Sequence, residues 1–266
     1  MHLSITFFAC AQPYRPLPTL LLPLIMPPRT ASLRESGLTN GSGGESPEQK
    51  ARITVLISGS GTNLQALLDA CGTQRLPNAK IVRVISDRKD AFGLKRAEQA
   101  GVATTYHGIV PFKKQFPDTS EKPQFQEARR AYDQRLAEIV LEDRPDIVVC
   151  AGFMRIVTTA FLDRVKSVRV PVINLHPSKH KDLVGAGCIQ RAWEEFEAGK
   201  RTETGVMVHY VIEEVDMGEP ILEASVDIQG CKHLQELEER IHHKEHGLIV
   251  DGTKTAIDTL IKQRGV

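Results

Sequence analysis

The sequence has no surplus of charge of either sign. Its 34 Lys and Arg stand against 33 Asp and Glu, a formal +1 over 266 residues. This balance excludes a dominant basic surface, and with it nucleic acid as an implied partner. Paired cysteines are also missing. Cys10, Cys71, Cys150, Cys188 and Cys231 are scattered and none has CxxC spacing. That excludes a zinc knuckle and a disulfide framework, and it suits a reduced, cytoplasmic protein. No apolar run is long enough to span a bilayer. Leu17–Met26 is short and is interrupted by Pro18 and Pro23, so no membrane partner is expected. No acidic residue precedes Glu35, as in organelle-targeting peptides, but Arg is sparse there and helical amphipathicity is absent. Pro27–Lys50 is rich in Ser, Gly, Pro and polar residues. Residues 1–50 are therefore expected to be a disordered or poorly structured extension, with Met26 an alternative start, and residues 51–266 to be one folded domain.

Within residues 51–266 the pattern is repetitive. Arg52–Ser58 is a short, mostly apolar run ending in Gly59-Ser60-Gly61, and Asn63–Cys71 follows with helical spacing. Strand, glycine-rich turn and helix open a βαβ unit. Further strands are expected at Ile81–Ser86, Val102–Tyr106, Asp146–Cys150 and Val172–Leu175. Helices are expected at Ala91–Ala100, Gln124–Glu142 and Ile189–Ala198. Two alternating strands, Gly205–Ile212 and Ile221–Ile228, precede a long helix from Leu234 to about Leu260. Val110–Pro123 carries three Lys and three Pro with little periodicity and reads as an exposed loop. The expected fold is α/β: an open, mostly parallel, Rossmann-like sheet with helices on both faces. In such sheets ligands bind beyond the carboxyl ends of the strands. That places Gly59–Asn63, Ala151–Val157 and Asn174–Ser178 at one site.

Chemistry-bearing residues fall in those loops. Asn174-Leu175-His176-Pro177-Ser178, with Asp216 in Val215-Asp216-Met217-Gly218-Glu219-Pro220, sets an amide, an imidazole and a carboxylate on two strand ends. An amide and a cationic imidazole together stabilise an oxyanion, and a carboxylate can hold the imidazole protonated. These parts suit acyl transfer with no Ser or Cys nucleophile. Taken singly, His176 also fits a structural role, and Asp216 fits a turn before Gly218. Ser58-Gly59-Ser60-Gly61-Thr62-Asn63 is neither a Walker A motif nor a full GxGxxG, yet it opens a helix. It reads as a phosphate cradle or simply as a tight turn. Arg155, after Ala151-Gly152-Phe153-Met154, suits a carboxylate clamp or a solvent-facing position, and Met154 and Ile156 suit a pocket wall or the core. His242-His243-Lys244-Glu245-His246 is not HExxH. It reads as a solvated helix face, no metal is expected, and Glu245 is free to face the cleft.

Read in order, these segments resemble phosphoribosylglycinamide formyltransferase, the folate-dependent family of purine biosynthesis, in its single-domain fungal-type form. The likeness runs from about Ile53 to about Ile257. It is carried by Val55–Gln65, Ser86–Leu94, Ala151–Arg155, Ile173–Pro177 and Val215–Pro220. The resemblance implies a formyltransferase fold over residues 51–266. It also implies formyl transfer from 10-formyltetrahydrofolate, as cosubstrate, to the amino group of glycinamide ribonucleotide, without a metal. His176 would be general acid and oxyanion partner, Asn174 would donate to the same oxygen, and Asp216 would orient His176. Gly61, Thr62 and Asn63 would hold the ribonucleotide phosphate, and Glu245 its ribose or amide end. Arg129, Met154, Arg155, Ile156 and Val157 would lie along the folate, with Ile212, Glu213, Glu214, Val215 and Asp216 at its pterin.

One segment departs from the family pattern. A Leu/Pro/Gly-rich loop usually follows His-Pro, whereas here the chain reads Ser178-Lys179-His180-Lys181-Asp182-Leu183-Val184-Gly185. Three adjacent basic groups are costly to bury, so the loop is expected to be hydrated and mobile and to weaken folate binding or turnover. A catalytically impaired folate- or nucleotide-binding relative is the alternative that this loop raises. Formyltetrahydrofolate deformylase and methionyl-tRNA formyltransferase share the Asn-x-His…Asp logic. The first would need an N-terminal regulatory domain and the second a C-terminal barrel with a basic surface, and neither pattern is seen in this sequence.

Overall fold

β1 (Ala51–Ile57) is apolar on both sides because it lies near the middle of the sheet. Ile53, Val55 and Ile57 face one helical layer and Leu56 the other. The computed structural model describes residues 50–117 and 124–264, and the expectation for residues 1–49 lies outside them. After β1 come α1 (Thr62–Ala70), β2 (Ala79–Ser86), α2 (Phe92–Gln99), β3 (Ala103–Tyr106), α3 (Val110–Gln115) and α4 (Phe125–Glu142). Then follow β4 (Ile147–Cys150), α5 (Thr159–Ser167), β5 (Val172–His176), α6 (Cys188–Glu197), β6 (Glu203–Tyr210), β7 (Pro220–Asp227) and α7 (Leu234–Arg264).

The seven strands form one sheet in the order β3-β2-β1-β4-β5-β6-β7. β1 to β5 pair in parallel, whereas β6 and β7 add on in antiparallel fashion. The expected open, mostly parallel sheet is therefore present, with helices on both faces. The order of strand addition reverses between β1 and β4, which lie side by side and parallel, the switch point at which a crevice opens beyond the strand ends. There Ser58 donates its backbone N–H to the Gly152 carbonyl at 3.0 Å, tying the loops after these two strands together.

Two apolar cores flank the sheet. On one face, residues of α1, α6 and α7 pack on the strands, among them Leu64, Leu67, Trp193, Ile241 and Ile249. On the other, α4 and α5 supply Leu136, Val140, Phe161 and Val165. Two helices depart from the sequence expectation. Val110–Gln115 is helical rather than looped. Pro111 sits at the helix start, where its missing N–H costs nothing. Phe112 packs edge-on against the His107 and Tyr132 rings at 5.4 and 5.6 Å. α5 was not anticipated at all. Thr158 enters it extended, and only Phe161 and Val165 are buried in it, too few apolar positions for the period to stand out.

α7 lies directly on β6 because Gly252 has no side chain. A Cβ there would come within 2.8–2.9 Å of three Val208 side-chain carbons. Gly252→Leu is expected to lower unfolding free energy by about 1–3 kcal/mol, as overpacking of a tight contact does. Urea unfolding of both proteins checks this, and an unchanged midpoint would show that the contact gives way freely.

Candidate active site

The turn after β1 is shaped by two glycines that nearly touch. Gly61 has φ +72° and precedes the first residue of α1, and a Cβ on it would lie 2.5 Å from the Gly93 Cα. Gly93 donates its N–H to the Gly59 carbonyl at 3.1 Å, and Arg96 Nε donates to the Ser60 carbonyl at 2.9 Å. Gly59 itself faces open space, with nothing within 4 Å of where a Cβ would lie. Thr62 is exposed at the start of the helix and Asn63 is buried. Asn63 Nδ2 donates to Glu245 Oε2 at 3.2 Å across 182 residues of sequence, while Asn63 Oδ1 is buried with no partner. The turn and α7 thus meet at this pair. Burial raises the Glu245 carboxyl above its ordinary range, against the lowering effect of the Asn63 bond.

At the end of β5 the amide, imidazole and carboxylate converge. His176 is buried, with Nδ1 3.5 Å from Asp216 Oδ2. Its Nε2 lies 2.8 Å from the Leu183 carbonyl. A carbonyl only accepts, so Nε2 carries a hydrogen and Nδ1 is the nitrogen left to exchange a proton. Asp216 adopts the left-handed backbone region at φ +56°, which Asp tolerates better than most residues. Its Oδ2 also accepts the Gly185 N–H at 2.8 Å. Gly218 lets this loop press against β6, since a Cβ there would sit 1.7 Å from the Tyr210 carbonyl oxygen.

Sequence reasoning missed several residues here. His209 stands opposite Asn174 in the β5–β6 ladder. Its Nε2 is 3.2 Å from Asn174 Nδ2 and 3.7 Å from Asp216 Oδ1. Cys188 Sγ lies 3.5 Å from His176 Nε2 and 2.9 Å from the Gly185 carbonyl oxygen. Neither residue has a motif around it, and only the cross-strand register and the return of the 178–187 loop bring them in.

These polar groups close one end of a cavity of about 300 Å³. Its wall is mostly apolar, with Phe153, Met154, Ile156, Val157, Val211 and Ile212 along it. Met154 and Ile156 are 71 % and 57 % exposed, an apolar rim that no described residue covers. Arg155, Glu213 and Val215 also line the cavity, whereas Glu214 and Arg129 do not. Arg129 instead donates to the Ile156 carbonyl at 2.8 Å and supports the loop from behind. Arg155 neither points to solvent nor stands free as a clamp. Its Nε pairs with Asp87 Oδ2 at 2.9 Å and its guanidinium lies over the Tyr132 ring. Asp87 Oδ1 accepts the Ser58 hydroxyl at 2.6 Å, and that hydroxyl accepts the Met154 N–H at 2.8 Å. The pocket wall is therefore pinned by a buried polar chain that the sequence did not reveal.

The 178–185 loop differs from the hydrated stretch expected. Lys179 pairs with Glu203, and its stem lies over Gly205. The His180 N–H donates to Glu223 at 2.6 Å. Arg201 bridges Asp182 at 2.9 Å and Glu195 at 2.7 Å. Leu183 is buried, and of the three basic residues only Lys181 is exposed. Lys179 finds its partner on β6, Asp182 finds Arg201 between α6 and β6, and the His180 backbone reaches β7, none of which a linear reading can supply. Among the described residues no three His, Cys, Asp or Glu side chains are grouped to hold a metal ion. His242 and His243 are exposed beside the inward-facing Glu245.

The family model described as formyl transferase matches residues 51–253. A Schizosaccharomyces pombe phosphoribosylglycinamide formyltransferase is 41 % identical over 202 residues, covering 75 % of this chain and 94 % of the relative. The Saccharomyces cerevisiae protein of the same name is 41 % identical over 216 residues, covering 80 % and 100 %. Among solved structures, glycinamide ribonucleotide transformylase 1 from Symbiobacterium toebii is similar at 33 % identity with a TM-score of 0.66, over 81 % of this chain and 92 % of that one.

The raised Glu245 carboxyl has a consequence for stability. In the folded chain it keeps its proton at pH values where the unfolded chain has lost it, so the native state loses stability as pH rises through that window. Glu245→Gln carries no charge and escapes this loss. Urea unfolding at about pH 4 and about pH 8 should show the stability difference moving in favour of the Gln variant at the higher pH. A difference that does not change with pH would mean that Glu245 ionises without penalty.

Proposed function

The chain belongs to the formyl transferase family, and from that membership we propose that it transfers the formyl group of 10-formyltetrahydrofolate to the amino group of glycinamide ribonucleotide, a step of purine biosynthesis. The observation that carries this reading is the meeting of Asn174, His176 and Asp216 at the polar end of one apolar-walled cavity. Its support is the similarity, over nearly their whole length, to the two yeast proteins of that name. Residues 51–266 are the catalytic domain of this proposal, and no metal takes part in it. The free thiols of Cys71, Cys150, Cys188 and Cys231 suit a cytoplasmic enzyme. No helix among the described residues is long and apolar enough to cross a membrane.

In this mechanism the folate lies along Met154, Ile156, Val157 and Ile212, with its formyl group at Asn174 and His176. The amine of the ribonucleotide attacks the formyl carbon and the carbonyl oxygen becomes an oxyanion. Asn174 Nδ2 and a protonated His176 Nδ1 donate to that oxygen. Leu183 holds Nε2, so the ring cannot turn away, and the Asp216 carboxylate 3.5 Å from Nδ1 offsets the charge of the imidazolium. When the tetrahedral intermediate collapses, the bond from carbon to the folate nitrogen breaks. That nitrogen takes up the proton His176 supplies, and the neutral His176 then takes the proton that the attacking amine releases as the amide forms. The ribonucleotide phosphate is placed on the Gly59–Asn63 turn, where backbone N–H groups meet a helix start. Asn63 and Glu245 face the rest of that substrate.

Formyl transfer between the two named substrates by the purified full chain tests the reading, and no transfer with both present would sink it. His176→Ala and Asp216→Asn are each expected to lower kcat about a hundredfold or more, and near-normal turnover in both would remove them from the chemistry. Gly61 is a poor probe of the phosphate turn, since any side chain there strikes Gly93. Gly59 has open space, so Gly59→Val should raise KM for the ribonucleotide about tenfold and leave that for the folate nearly unchanged. Equal effects on both would move the phosphate elsewhere.

A further inference from the structure

We infer that His209 is the positioning residue for Asn174. Its unprotonated Nε2 accepts the Asn174 amide, and a proton taken up there releases Asn174 and shuts off the transfer. The inference rests on the functional reading above and extends it to a residue that touches neither reacting group.

The bonding of the ring defines its state. His209 Nδ1 lies 2.9 Å from the Tyr210 carbonyl oxygen. A carbonyl only accepts, so Nδ1 carries a hydrogen. In the neutral ring Nε2 is then a bare acceptor, and the group 3.2 Å from it is the Asn174 amide nitrogen, a donor. One Asn174 N–H is spent on His209, and the second is left to point at the formyl oxygen. The imidazolium form breaks this arrangement. Nε2 would become a donor facing a donor, and it would turn either to Asp216 Oδ1, 3.7 Å away, or to a flipped Asn174 oxygen. The first outcome draws Asp216 away from His176. The second moves the amide donor out of the oxyanion position.

The surroundings hold the ring neutral. His209 is 2 % exposed, and burial is the largest effect lowering its proton affinity. His176 on β5, edge-on with ring centroids 6.4 Å apart, and His180 on the loop after β5 act in the same direction. Asp216, on the loop before β7, and the Tyr210 carbonyl act against it. The remaining neighbour across the ladder, Pro220 of β7, carries no charge. The balance lowers the ring below the ordinary histidine value. Turnover should therefore hold through neutral pH and fall on the acid side as His209 takes up a proton, with binding of either substrate less affected.

Three full-chain proteins test this: wild type, His209→Leu and His209→Gln. Leu removes the acceptor. Gln places an amide oxygen near the Nε2 position and does not titrate. His209→Leu should lower kcat about tenfold or more with both KM values changed less than about threefold. His209→Gln should recover most of that kcat at neutral pH and move the acid limb of the pH–kcat profile to lower pH. Long-range proton–nitrogen NMR on histidine-labelled wild type should show a neutral ring at position 209 with hydrogen on Nδ1 at neutral pH. This readout needs no activity, so it decides the inference even if formyl transfer itself fails. A ring found charged, or with hydrogen on Nε2, overturns it. So does a Leu variant with wild-type kcat, or a Gln variant whose acid limb stays in place.

Discussion

A buried carboxylate must find donors or be expelled, and Asp216 is the point where this chain meets that constraint. It sits in a left-handed backbone conformation on the loop between β6 and β7, with its side chain only 10 % exposed. His176, His209 and the Gly185 N–H are the groups around it, and they come from β5, β6 and the loop before α6. The switch from parallel to antiparallel pairing at β5–β6 brings these segments to one edge, because it places Asn174 directly opposite His209. Without that added antiparallel strand, His176 would keep the Leu183 carbonyl but lose Asp216, and Asn174 would lose His209.

The loop after His176 is held by two kinds of force of unequal weight. Its ion pairs to Glu203 and Arg201 are partly exposed and contribute about 0–1 kcal/mol each. Burial of Leu183 contributes more, about 1.5–3 kcal/mol for such a side chain. The same residue presents the carbonyl that fixes His176 Nε2. The apolar anchor and the orientation of the His176 ring are thus one device, and the surface charges serve mainly to choose the loop's path over β6 and β7. This explains how a charged stretch can follow Pro177 without leaving the imidazole unsupported.

The opposite side of the site depends on close backbone approach. Gly61 and Gly93 let the turn after β1 and the start of α2 touch, and the Ser58–Asp87–Arg155 chain locks the neighbouring wall. Asn63 and Glu245 then join the first helix of the domain to the last. Part of Asn63 is left unsatisfied in the process. A buried acceptor without a donor is costly in a closed protein, and a substrate N–H in the cleft would remove that cost.

Local chemistry determined much of this protein. Runs such as Arg52–Ser58 and Val172–Leu175 are buried strands because nothing else suits their apolar continuity. Gly61, at φ +72° and with Gly93 against it, marks a turn that only glycine can make. Asn174, His176 and Asp216 stand out because an amide, an imidazole and a carboxylate near strand ends can together stabilise an oxyanion. What stayed hidden depended on contacts between distant segments. α3 forms because Phe112 meets His107 and Tyr132, and α5 because two residues find a core. Arg155 pairs with Asp87 rather than standing free, and the basic loop finds Glu203 and Glu223. His209 enters the site only through the register of β5 against β6. Periodicity and motif report what a segment can do alone, whereas a partner's identity is a property of the packed sheet, so tertiary structure alone decided which of these side chains work together.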